Sequence, residues 1–200
     1  MTENYNINIF GPLFVRIKLE QEDVEKILSL CKEKESFSQS LAGHFETEYE
    51  IDKVAYAYHM QKYFKIFIRL YNQFYSRNMV HVAVASAWVN FMKANDYNPP
   101  HIHTKCDFST ALILKTPDGL DKECKDLQEK ANVNNNLPGY LCFEHGLNNF
   151  FNNTSYFFKP EVGNLYLFPY WLPHWVNPFK CTGERVSVSS NLILQHEHDV

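Results

Sequence analysis

The hydrophobic pattern of this chain changes period once, near Asn78, and that switch constrains the fold more than any other feature. Before it, apolar residues recur at helical spacing. The run QEDVEKILSLCKEK puts Val24, Ile27, Leu28 and Cys31 on one face, with acids early and lysines late, as a helix dipole prefers. Over about 53–77, Met60, Tyr63, Phe64, Phe67, Leu70, Tyr71 and Phe74 recur at i, i+3, i+4 and i+7, an aromatic stripe expected to pack against a sheet. After Asn78, VHVAVASAWVNFM alternates. Short β-rich runs follow at 108–114, 139–144, 155–159, 164–169 and 185–194. An earlier strand, 7–19, is broken at Gly11-Pro12. Helices followed by many short strands predict an α+β fold whose sheet must curl or double over to bury its apolar face.

Two hundred residues suit one domain, 1–200, with a helical part over about 20–78 and a barrel part over about 79–195. The polar, Asn-rich segment 118–138 reads as an insertion between strands, partly helical or mobile, and a candidate lid. A net charge of −4 gives no electrostatic reason to expect nucleic acid or an anionic membrane as partner. No apolar run nears the roughly 20 residues of a membrane span, and MTENYNINIF lacks the plan of a signal peptide. A cytoplasmic protein is the expectation. Cys31, Cys106, Cys124, Cys142 and Cys181 form no CxxC pair and are odd in number, which predicts free thiols rather than a disulfide framework or structural zinc. The overlapping sequons at Asn152 and Asn153 then read as part of a polar loop.

Three of the nine histidines keep unusual company. His101 and His103 follow Pro99-Pro100, and residues two apart in extended chain point to the same side, so both imidazoles can face one point. His174 lies far along, in LFPYWLPHWVNP. Such a set can hold a metal and leave sites open for other ligands. Eleven residues on, Arg185 opens RVSVSSN, a strand expected beside the one ending at Pro169. A guanidinium with the Ser187 hydroxyl on the same strand face is a seat for a carboxylate. Zinc hydrolases do not require that pair. An oxygenase consuming a dicarboxylate does.

The order PHIH, FSTALIL, GYLCFE, PEVGNLYLFPYWLPHWVNP and GERVSVSSN resembles the iron(II)/2-oxoglutarate oxygenases, in particular a branch known mainly from bacteria and their phages. The segments P-x-x-G-x-L-x-x-F-P-x-W-x-x-H and R-x-S-x-S-x-N carry most of that resemblance, and INIFGPLFV with SLAGH at 40–44 extends it over nearly the whole chain. The resemblance implies a double-stranded β-helix (jelly-roll, cupin-like) core with N-terminal helices packed on the sheet. It implies a dioxygenase using Fe(II), 2-oxoglutarate and O2 to hydroxylate a small-molecule or peptide substrate, releasing succinate and CO2. His101 and His174 would be metal ligands, Arg185 and Ser187 would hold the far carboxylate of 2-oxoglutarate, and Asn191 would line the same pocket. The wider superfamily has Asp or Glu where this chain has His103. The third ligand is therefore His103, the favoured choice, or water, or Asp107 folded back.

Other readings use the same residues differently. A metal-dependent cupin hydrolase or isomerase would need the three histidines but no arginine, and a non-catalytic β-helix module would need neither. Arg185 could instead sit at the surface beside Glu184 or Glu161. Trp171 and Trp175 bracket His174 as packing residues or pocket walls. His145 is a turn histidine or a fourth metal-side group, Lys105 and Asn90 are plausible pocket polars, and His196 and His198 read as a frayed tail. His44, His59 and His81 receive no role. The aromatic second helix could supply a homodimer face.

Overall fold

The computed structural model describes residues 5–9, 11–31, 48–131, 135–147, 150 and 153–197. The chain opens with strands β1 (Tyr5–Ile9) and β2 (Leu13–Lys18), paired antiparallel around the Gly11-Pro12 break. Gly11 has φ +116, and a Cβ there would lie 2.9 Å from the His145 ring, so the corner needs glycine on both counts. Helix α1 (Gln21–Leu30), strand β3 (Glu48–Glu50) and helix α2 (Lys53–Tyr75) follow. The helix-period segment is thus a helix over nearly its whole expected length. Asp52 caps it, its Oδ1 accepting from the amides of Val54 at 2.9 Å and Ala55 at 3.2 Å.

The alternating segment is β4 (Met79–Met92), and the remaining elements are β5 (Asn98–His101), β6 (Phe108–Lys115), α3 (Leu120–Ala131), β7 (Leu141–Glu144), β8 (Ser155–Phe158), β9 (Asn164–Pro169), β10 (His174–Val176) and β11 (Arg185–His196). They form a seven-stranded sheet, β1-β2-β9-β6-β11-β4-β3, and a four-stranded sheet, β5-β10-β7-β8. Strands β6 and β9 are buried on successive residues because both faces of the large sheet are covered. One face packs Leu112, Leu165, Leu167 and Val188 against Ile27, Tyr56, Met60 and Phe67 of the helices. The other packs Phe14, Ala111, Ile113, Tyr166 and Phe168 against Leu141, Phe143 and Val176 of the small sheet. The result is the expected doubled β-structure with helices laid on its larger sheet.

The structure departs from some expectations and meets others. Strand β11 pairs with β4 and β6, so β6 separates it from β9, which ends at Pro169. Residues 120–131 form a helix whose Leu120 and Cys124 are anchored in the second core. His196 belongs to β11, opposite Met79 and beside the Tyr71 ring, rather than to a frayed tail. The α2 stripe packs into the core; Val54, Tyr58 and Tyr75 are the exposed large hydrophobics of this helix. All five cysteines are free thiols. No helix is long and apolar enough to cross a membrane. His44, His198, Asn152 and the SLAGH segment lie outside the described residues.

Replacing Asp52 by alanine leaves two helix-start amides without a side-chain acceptor, and should cost about 1 kcal/mol in denaturant unfolding. An unchanged unfolding midpoint would show that the cap contributes nothing to α2.

Candidate functional site

Between the two sheets lies a cavity of about 550 Å³, and all three singled-out histidines line it. The antiparallel pairing of β5 with β10 sets His174 directly opposite His101. His103 lies just past β5, and its amide donates to the Tyr170 carbonyl at 2.9 Å, so a loop contact rather than strand alternation holds it in place. The ligand atoms of the three rings all fall within 4.8 Å of one another. No carboxylate joins the group among the described residues.

The ring nitrogens have defined roles. His101 Nδ1 is 2.7 Å from the Pro99 carbonyl and His174 Nδ1 is 2.9 Å from the Leu172 carbonyl. A carbonyl only accepts, so each Nδ1 carries the hydrogen and each Nε2 is left with its lone pair. His103 Nε2 and His174 Nε2 are 3.2 Å apart. Two nitrogens each about 2.1 Å from one metal and near right angles would be about 3 Å apart. Burial pushes all three imidazoles down, His103 to about 4 with neighbouring His101 adding to the effect, and His174 well below its ordinary value. The rings are therefore neutral at neutral pH, the state in which an imidazole can ligate a metal. Backbone bonds to the far ring nitrogens are the usual outer support of metal-binding histidines.

Asp107, the alternative ligand, is not brought there. Its Oδ2 accepts from the Leu194 amide at 2.8 Å and its own amide donates to Leu192 O, which ties it to the far part of β11. His145 packs at a tilt against Trp171, with ring centroids 5.3 Å apart, and does not line the cavity. Neither Trp171 nor Trp175 lines the cavity; Trp175 donates to Asn177. The described residues of 118–138 do not line it either.

Arg185 lies at the opposite register from the surface reading. It is 2% exposed and lines the cavity. Its Nη1 donates to Ser187 Oγ at 2.9 Å and contacts Met92 Sδ at 3.7 Å, while its Nε has no partner. Burial pushes the guanidinium down to about 10, still charged at neutral pH. A buried cation with no carboxylate beside it is costly unless an anion enters. Asn191 lines the same cavity, its Oδ1 accepting from Ser109 Oγ at 2.9 Å, and Asn90 and Lys105 line it too.

Two lining residues escape the sequence reading. Trp88 stands in the wall, its ring 5.8 Å from the His103 ring. Glu48, on β3, is 1% exposed. Burial alone pushes its carboxyl up to about 7. Alternation in ETEYE just ahead of the Asp52 cap was the available signal for this strand, but three residues are too few to assign a face.

A family model described as "Putative 2OG-Fe(II) oxygenase" matches residues 86–191, more than half of the chain. A Pseudomonas putida prolyl-4-hydroxylase has a similar structure, at 14% identity and TM-score 0.57, over 96% of this chain and 93% of that one. A viral collagen prolyl hydroxylase from Paramecium Bursaria Chlorella virus-1, solved with 2-oxoglutarate, gives 12%, 0.56, 91% and 96%. The α-ketoglutarate-dependent epimerase SnoN of nogalamycin biosynthesis gives 10%, 0.57, 90% and 76%. No curated protein sequence matches. The structural likenesses carry the fold, a double-stranded β-helix. The chain belongs to the 2OG-Fe(II) oxygenase family. Membership brings iron(II), 2-oxoglutarate and O2 as its reactants, in place of the hydrolase and non-catalytic readings.

Glu48 offers a check on the cavity's dryness. A carboxyl raised in the fold binds a proton that the unfolded chain releases, so its cost is absent below about pH 4.5, grows as pH rises, and levels off above about 7. Over that window the stability gap between Glu48→Gln and wild type should widen by up to about 3 kcal/mol in apo-protein unfolding. Parallel pH profiles would mean Glu48 is solvated.

Proposed function

We propose that this oxygenase holds iron through His101, His103 and His174, binds 2-oxoglutarate with its far carboxylate on Arg185 and Ser187, and hydroxylates a C–H bond of a small-molecule or peptide substrate. The observation that carries the reading is the pairing of two unmet demands in one cavity. Three imidazoles converge in one part of it, and a buried guanidinium with no counter-ion among the described residues lies in another. A dicarboxylate chelated at one end and neutralised at the other answers both.

When bound, iron(II) with 2-oxoglutarate and O2 supplies the oxidising chemistry, and the co-substrate leaves as succinate and CO2. The chain's own residues orient and exclude water. The Pro99 and Leu172 carbonyls hold the His101 and His174 tautomers that present Nε2. The Ser187 hydroxyl accepts from Arg185 and aims the guanidinium, leaving Nε for a carboxylate. Asn191, steadied by Ser109, faces the same space. With His103 in place of a carboxylate, three neutral ligands leave the metal its full positive charge, which favours an anionic co-substrate. The prolyl hydroxylases among the structural neighbours support hydroxylation as the outcome, and a prolyl hydroxylase from Trichoplax adhaerens solved with a peptide fragment supports a peptide as one substrate class.

Arg185→Ala should keep metal affinity and lose roughly 10- to 100-fold in 2-oxoglutarate affinity, measured by calorimetry on manganese-loaded protein. Unchanged 2-oxoglutarate binding would remove Arg185 from the site.

A further inference from the structure

The end of the cavity at β3 and β4 is not used by metal or co-substrate, and it is built from unsatisfied acceptors. Glu48 and Asn90 are cross-strand partners at one register position, and Asn90 is in turn opposite Ser187. Glu48 is 1% exposed and its Oε2 has no hydrogen-bond partner. Asn90 is 5% exposed; its Nδ2 donates to the Ser187 carbonyl at 3.4 Å and to Ser189 Oγ at 3.1 Å. Those bonds set the amide's orientation, and its Oδ1 is left buried and without a partner. Both residues line the same cavity as the histidines and Arg185, with Trp88 two residues before Asn90 on the same strand face.

Neither of the ligands already placed answers this pair. A carboxylate repels the dicarboxylate, and Glu48 is not among the groups clustered with the histidines. Two strand spacings, roughly 10 Å, separate Glu48 from the Ser187 strand. What is missing is a donor. A hydroxyl brings one hydrogen, whereas an ammonium brings three and a guanidinium five, together with the charge that lets a buried carboxylate stay ionised. An aromatic wall beside such a group favours it further.

We propose that Glu48 and Asn90 form the substrate-recognition end of the cavity and bind a cationic nitrogen, a primary ammonium or a guanidinium, of a small-molecule substrate. The proposal rests on the reading of His101, His103, His174 and Arg185 as the metal and co-substrate end. A cavity of about 550 Å³ is of the size that holds small ligands.

Fragments test this without knowledge of the full substrate. Saturation-transfer NMR on zinc-loaded protein with 2-oxoglutarate compares methylammonium with methanol, and methylguanidinium with methylurea. At least one cation should bind saturably and more tightly than its neutral partner, and Glu48→Gln should weaken it about tenfold or more. Calorimetric 2-oxoglutarate binding should be the same in the variant and wild type, which separates loss of this contact from loss of the fold. Cations that bind no better than their neutral partners, or equally well to Glu48→Gln, overturn the proposal. Failure of the metal and co-substrate reading shows separately, as a zinc-loaded wild type that does not bind 2-oxoglutarate.

Discussion

The antiparallel pairing of β5 with β10 puts His101 across from His174, and the site depends on that register. Slipping either strand by one residue would turn its imidazole to the opposite face. His103 is fixed through the same pair of segments, because the Tyr170 carbonyl that receives its amide precedes β10 by four residues. The small sheet therefore supplies the converging imidazoles, while the large sheet supplies Arg185, Ser187, Asn90 and Glu48. Packing of Phe14, Phe143 and Phe168 between the sheets holds the two sets at a constant separation.

The cavity departs from the rule that buried polar groups are satisfied. Within it, a guanidinium nitrogen (Arg185), a carboxylate oxygen (Glu48) and two amide oxygens (Asn90 and Asn98) lack partners. Elsewhere in the core, Tyr63 donates to Asp23 at 2.6 Å. Several unmet groups gathered in one hollow are the mark of a ligand site. Their signs also divide the hollow, with an unmet cation at Arg185 and unmet acceptors at Glu48 and Asn90.

Long or continuous patterns made the main elements legible. β4 alternates over fourteen residues, β6 and β9 carry the apolar stretches ALIL and LYLFP, and α2 shows its stripe over six turns. The strands that place His101 and His174 were not: β5 is NPPH and β10 is HWV, too short for any periodicity and, in β5, rich in proline. His101, His103, His174 and Arg185 were still readable, because their residue types and spacing match a family pattern. Placement of β6 between β9 and β11 was not readable, since pairing between distant strands leaves no local trace. Glu48 was hidden for a related reason. It is one acid among three in ETEYE and its predecessor, and only the pairing of β3 with Asn90 turns it inward.

The central claim is that the three imidazoles and Arg185 grip the two ends of one metal-bound dicarboxylate. A crystal structure of the protein with iron(II) and 2-oxoglutarate, grown without oxygen and measured across the iron absorption edge, tests it most directly. The account predicts an anomalous peak bonded to Nε2 of His101, His103 and His174, with the far carboxylate of 2-oxoglutarate on Arg185. An ion held by Asp107, or a co-substrate carboxylate that leaves Arg185 unpaired, would contradict it.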